Sequence, residues 1–193
     1  MISGGAIETW YKGCRFRSRL EARWAVFFDT LGVKWTYEKQ GYMLNGMPYL
    51  PDFWFDYPFG EGWGFWLEVK PEPLTDAERD LLAALAKATG HRAFAVCGQP
   101  WPGDYSITVF QHHHGGEPER IPLLEGGELI ETKWCDDPDA IPELFVRRDE
   151  KTFPFLSNLN RARDGGLEWV NGEPLSAAFG KARSARFEHG ERS

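Results

Sequence analysis

The sequence predicts an α/β domain, a mixed central sheet flanked by helices, followed by an appended C-terminal region. Three observations carry that expectation. Segment 18–31 repeats apolar residues at a helical period and 75–88 is bounded by helix-capping signals, whereas the runs between and after them are aromatic-rich with strand-like patterning. The order is helix, three strands, helix, strand and one further strand, which a layered core of sheet and helices accommodates. With 42% hydrophobic and 15% aromatic residues among 193, the chain has the apolar content of one ordinary domain, alone or with an appendage.

The first helix is expected over 18–31, because Leu20, Trp24, Phe27, Phe28 and Leu31 share one face of a 3.6-residue period. Ser18 and Glu21 read as a capping box, and Gly32 stands where a left-handed C-terminal cap belongs. Strands are expected at 33–38, from the alternation of Val33, Trp35 and Tyr37 with polar neighbours, and at 49–55, behind the turn signal Asn45-Gly46. A third strand at 63–70 is closed by Pro71. The second helix, 75–88, opens on Thr75 with Glu78 as a second capping box and ends at Thr89-Gly90. Residues 93–97 and 105–110 complete the strands. The core is thus expected over 1–114. Residues 111–130 are turn-rich, and 115–193 read as an acidic, Gly- and Pro-containing appendage of unassigned organisation, with a short helix at 176–186.

Cys14, Cys97 and Cys135 are odd in number and far apart, so neither a disulfide framework nor a zinc ribbon follows, and free thiols in a reducing compartment are expected. No apolar run approaches the ~20 residues that cross a bilayer, and Met1 is not followed by a basic and then apolar leader. The expectation is a soluble, cytoplasmic protein without a membrane partner. Its formal charge of −7 argues against a polyanion partner only until its distribution is considered. Residues 117–150 hold 11 acids and four bases, which accounts for the whole excess; the rest balances at 18 against 18. Residues 8–40 are basic, with seven bases against four acids.

The chemistry centres on Pro51-Asp52 and, sixteen residues beyond Asp52, on Glu68-Val69-Lys70. Side chains two apart in a strand share a face, so Glu68 and Lys70 emerge together, and a hairpin brings Asp52 beside Glu68. Two carboxylates on adjacent strands, with the Val69 backbone carbonyl, make an all-oxygen site of the kind magnesium and manganese prefer. Such an ion binds a phosphate and lowers the pKa of its water, and Lys70 would orient the attacking water or offset transition-state charge. An exposed Glu-Val-Lys or a turn opening on Pro-Asp means little alone. Here both lie on strands dense in large apolar residues, where a charge is costly to bury unless paired or bound to an ion.

These elements resemble the PD-(D/E)XK phosphodiesterase superfamily over about residues 16–98: Pro51-Asp52, Glu68-Val69-Lys70, and a glutamate on the first helix, matched by Glu21 within Arg17-Ser18-Arg19-Leu20-Glu21. Residues 18–55 look especially like small prokaryotic and phage-encoded members. The resemblance implies a restriction-endonuclease-like αβββαβ core. It also implies a magnesium- or manganese-dependent nuclease that cuts DNA with a metal-activated water. Asp52, Glu68, Lys70 and Glu21 would be catalytic, with Asp52, Glu68, Val69 and Glu21 toward the metal. Glu21 has the competing role of capping-box partner. The alternative function is a non-cleaving subunit of the same fold that binds DNA or protein, and a homodimer is left open. An acidic 117–150 segment that mimics nucleic acid is a third, weaker reading.

Arg15, Arg17, Arg19, Arg23 and Gln40 are the candidate nucleic-acid contacts, with an ordinary solvated helix face as the alternative for Arg19 and Arg23. Lys181, Arg183 and Arg186 pose the same question. Three adjacent histidines, His112, His113 and His114, cannot all face one ion from a strand and read as a solvated strand end.

Overall fold

The computed structural model describes residues 7–56, 64–101, 104–111, 119–125, 128–129 and 172–187. Trp63, His112, His113, His114, Cys135 and most of the acidic 117–150 segment lie outside them. In chain order the elements are β1 (Thr9–Tyr11), β2 (Cys14–Phe16), α1 (Arg19–Thr30), β3 (Thr36–Tyr37), β4 (Tyr42–Leu44), β5 (Met47–Tyr49), β6 (Phe53–Asp56), β7 (Gly64–Lys70), α2 (Asp76–Thr89), β8 (Arg92–Gly98), β9 (Tyr105–Gln111), β10 (Glu119–Glu125), β11 (Glu128–Leu129) and α3 (Gly172–Ser184). Among the described residues no helix is long and apolar enough to cross a membrane.

Seven strands form one mixed sheet in the order β11-β10-β9-β8-β7-β6-β3. Only β7 and β8 run parallel, joined by α2 as their crossover; the other neighbours are antiparallel. Strand alternation divides the interior in two. Phe53, Phe55, Phe65, Leu67 and Phe94 pack with α1 and α3, whereas Trp54, Trp66, Ala93, Ala95 and Phe110 pack with α2. The α/β class and the mixed sheet between helices are as expected.

Both helix boundaries follow their caps. The Ser18 hydroxyl accepts from the Glu21 N–H, and Gly32 adopts φ 71 just past the C-terminus of α1. Thr75 and Glu78 form the reciprocal box, and Gly90 closes α2 in the left-handed region.

Four expectations need correction. The 49–55 run is not one strand: β5 pairs with β4 across Asn45-Gly46, both at positive φ, and Leu50, Pro51 and Asp52 separate it from β6. The 33–38 run pairs only at Thr36 and Tyr37, because Glu38 turns away at φ 47. Within 111–130, β10 pairs with β9 and carries the sheet onward. The boundary at 114–115 therefore does not separate an appendage from the core. Helix α3 reinforces this point, since Ala178, Phe179 and Ala182 are buried in the α1 cluster and Phe179 sits 4.9 Å from Phe27 between ring centroids. The β1–β2 hairpin, turned at Lys12-Gly13, was not expected; its strands are too short for a period to show.

Candidate active site

The last regular pair of β6 and β7 is Phe53 opposite Leu67. Continuing that register sets Asp52 opposite Glu68 and Pro51 opposite Val69. Paired residues share a sheet face, so Asp52 and Glu68 emerge on one side. Both are buried, at 2% and 5% exposure. The Asp52 carboxylate replaces the missing ladder bond, since its Oδ2 accepts from the Val69 N–H at 2.7 Å. The N–H and C=O of one strand residue point the same way, so the Val69 carbonyl also faces Asp52. Proline has no N–H, so Pro51 offers that carbonyl no ladder donor. The Asp52 carbonyl meanwhile accepts from Glu38 N–H at 2.8 Å, which ties the segment to the end of β3.

Glu68 Oε1 lies 3.1 Å from Lys70 Nζ, and Lys70 Nζ lies 3.3 Å from Glu78 Oε1 on α2. The capping glutamate thus also holds the lysine, a role its Ser/Thr-x-x-Glu pattern does not reveal. Glu68 Oε2 is buried without a hydrogen-bond partner. Tyr49 faces the same carboxylate, and that proximity raises the phenol's pKa, with burial the larger cause. Arg17 enters from the N-terminal side: Nη2 donates to Asp52 Oδ1 at 2.6 Å, and Nε lies 2.8 Å from Glu38 Oε1.

Glu21 is buried in the first turn of α1, near enough to Asp52 for its charge to act there. Both of its oxygens are engaged: Oε1 by Ser18 Oγ at 2.6 Å, Oε2 by Tyr37 Oη at 2.5 Å and by the Arg17 N–H at 3.1 Å. The cap is therefore half of the expected box, because the carboxylate reaches Arg17 N rather than Ser18 N.

Five carboxylates (Glu21, Glu38, Asp52, Glu68 and Glu78) here surround two cations, Arg17 and Lys70. Burial, then the Glu68 and Glu21 charges, push the Asp52 pKa well above its ordinary value of 3.8, against the Val69 N–H and Arg17. Burial likewise raises Glu68, opposed by Lys70, Tyr49 and Arg17. Burial alone would lower Lys70, but Glu68, Glu78 and Asp52 raise it. The site is an excess of negative charge held out of water, an arrangement that disfavours its own ionised state.

A divalent cation suits this donor set. The orphaned Glu68 Oε2, the Asp52 carboxylate and the Val69 carbonyl are hard oxygens, and the cluster lacks positive charge. No three His, Cys, Asp or Glu side chains among the described residues converge closely enough to cage a metal by themselves. Magnesium keeps several waters and binds through one or two carboxylates. The Arg17 guanidinium on Oδ1 would compete with a cation for Asp52.

The remaining candidates divide. Arg15 pairs with Glu8 on the outer hairpin, and Gln40 is exposed beyond β3. Arg17 belongs to the acidic cluster rather than to a free basic face. Arg23 faces Gln99 and Trp101 after β8, and Arg19 is near enough for its charge to act on Arg23. Arg183 reaches the same tryptophan, whereas Lys181 and Arg186 are exposed. Tyr37, Tyr49 and Glu78 were not singled out as site residues. Only the capping pattern at Glu78 and the place of Tyr49 three residues before Asp52 could have pointed to them. No protein-family model matches the chain, and no curated protein matches it significantly.

Proposed function

We propose that this protein is a magnesium- or manganese-dependent nuclease, acting on DNA as a phosphodiesterase through Asp52, Glu68 and Lys70. One observation carries the reading: two carboxylates, one just before β6 and one on β7, are buried side by side, one oxygen of Glu68 is unsatisfied, and a lysine two residues on shares Glu68's face. The element order α1, β3, β6, β7, α2, β8, interrupted only by the β4–β5 hairpin, supports the αβββαβ core that the motif resemblance implies.

Asp52, Glu68 and the Val69 carbonyl would hold the ion. When bound, it supplies a water of lowered pKa and polarises the scissile phosphate. Lys70 is anchored at the rim by two carboxylates, so its ammonium is charged and fixed in direction. It orients the attacking water or offsets the charge that develops on the phosphoryl oxygens. Arg17, which pairs with Asp52 here, would be available to a phosphate if an ion took its place on that carboxylate.

Incubation of the full chain with linear, circular, single-stranded and branched DNA tests the reading, with Mg²⁺, with Mn²⁺ and with a chelator. Cleavage of at least one form with a divalent ion, abolished by the chelator, is expected. DNA binding without cleavage under every condition would replace the nuclease by the non-cleaving subunit of the same fold.

A further inference from the structure

A second charged feature lies at the same end of the sheet, outside the acidic cluster. Strand β8 ends at Gly98, whose φ is 105 and where an added Cβ would lie 2.1 Å from the Asp104 carbonyl oxygen. Only glycine fits that turn. Trp24 Nε1 donates to the Gly98 carbonyl at 3.0 Å and pins the turn to α1. Gln99 N–H donates to the Asp104 carbonyl at 3.0 Å, and Trp101 N–H to the Gln99 carbonyl at 2.8 Å. The turn starts one residue past Cys97, the register partner of Lys70 on the neighbouring strand.

Two arginines, Arg23 and Arg183, meet at this turn, and a third, Arg19, lies near Arg23. The Arg23 guanidinium carbon lies 5.5 Å from the Trp101 ring centroid, and that of Arg183, from α3, lies 6.0 Å from it. Arg23 Nη1 donates to Gln99 Oε1 at 3.3 Å, and Arg19 is near enough for its charge to act on Arg23. Among the described residues none of the three has a carboxylate partner. The Nε atoms of Arg19 and Arg23 are buried without an acceptor. Gathered guanidinium groups repel one another unless an anion completes them. With no acceptor at Nε, these side chains give up little hydrogen bonding when they turn onto one.

Arg17 and Lys70 are spent on carboxylates, whereas these three arginines are not. Two of the unspent cations, Arg23 and Arg183, lie against an aromatic ring, and that combination binds unpaired nucleotides: bases stack on indole and guanidinium planes while phosphates meet the charge. In a duplex the base faces are already stacked on each other, so phosphates alone would not use Trp101.

We propose that Trp101 with Arg19, Arg23 and Arg183 forms a subsite for an unpaired nucleotide, its base on the Trp101–arginine platform and its phosphate on the guanidinium groups. Single-stranded or forked DNA is then the preferred substrate class. Its placement beside the scissile bond rests on the nuclease reading above, but its binding does not.

Fluorescence anisotropy of the full chain in chelator, with a labelled oligothymidylate and a blunt duplex of equal length, tests the subsite without cleavage. Trp101→Leu, which keeps apolar bulk but removes the stack, should weaken oligothymidylate binding by about tenfold or more. Duplex binding should change by less than about twofold, and Trp101→Phe should retain most of the single-strand affinity. Arg183 is exposed, so Arg183→Ala tests the charge without touching the core. It should flatten the single-strand salt slope by about 0.7. Equal loss on both DNAs in Trp101→Leu, or wild-type single-strand binding in both variants, overturns the subsite. Trp101-dependent binding by a chain that cleaves nothing with either Mg²⁺ or Mn²⁺ upholds the subsite and removes the nuclease reading. Cleavage together with unaltered binding in both variants does the reverse.

Discussion

Strands β6 and β7 carry two opposite interiors. Over Phe53–Asp56 and Gly64–Lys70 the register first matches aromatic with aromatic: the Phe55 and Phe65 rings stack at 4.9 Å, and Trp54 and Trp66 lie 4.5 Å apart. Two residues farther along, the same alternation places Asp52 and Glu68 in positions just as buried. The aromatic stretch favours folding at any pH and with any ion present, because its gain is area removed from water. The charged stretch opposes folding, because buried like charges disfavour one another and lose hydration. One ladder therefore builds stability in its middle and gives some of it up at its end, where the chemistry is proposed to lie.

The largest expected effect separates the two stretches. Glu68→Gln or Lys70→Ala should lower the cleavage rate by at least about a hundredfold; without metal the thermal midpoint should stay level or rise in Glu68→Gln, and fall in Lys70→Ala, which leaves the Glu68 charge unopposed. Wild-type cleavage by Lys70→Ala would make the lysine structural. In the aromatic stretch the outcome inverts. Phe53→Ala should cost about 3–5 kcal/mol in urea unfolding, with cleavage per folded molecule little changed. Gly64→Ala should also destabilise, by about 1–3 kcal/mol or more, because its Cβ would lie 2.2 Å from the Phe55 carbonyl oxygen and 2.4 Å from the Trp54 ring.

How much of this was legible in the sequence differs between the same two stretches. The apolar periods and caps placed α1, α2, β7, β8 and β9 within a few residues, because those signals are local. The motif residues Asp52, Glu68 and Lys70 were legible as a group, since strand alternation fixes their faces. Arg17 was read as a phosphate contact, and its pairing with Asp52 spans 35 positions that no local pattern connects. The 49–55 run looked like one strand because propensity does not register that Pro51 interrupts the ladder and that the Asp52 side chain takes over its hydrogen bond. Helix α3 was seen, but its burial against α1 was not, as small residues such as Ala178 and Ala182 give no strong apolar stripe.

A subtler test uses pH. Asp52 and Glu68 have folded-state pKa values raised above the ordinary 3.8 and 4.5, so the folded chain binds their protons more tightly than the unfolded chain does. Their contribution to stability is complete below those ordinary values and lost as pH rises through the raised ones. Without metal, the wild type should thus gain stability relative to an Asp52→Asn, Glu68→Gln double variant as pH falls from about 8 toward 5. Urea midpoints measured across that range check this, and a stability difference that does not change with pH contradicts it.

Binding of Mn²⁺, followed by electron paramagnetic resonance on the full chain, tests most directly whether the buried carboxylates are held for a divalent ion. If Asp52 and Glu68 hold the ion, with the Arg17 charge competing for Asp52, the wild-type isotherm should weaken by at least about tenfold in Glu68→Gln, in line with the loss of a charged ligand. In Arg17→Ala it should instead strengthen. Superimposable isotherms for the wild type and Glu68→Gln would show that Asp52 and Glu68 form a structural ion network with Arg17 and Lys70, and not a metal site.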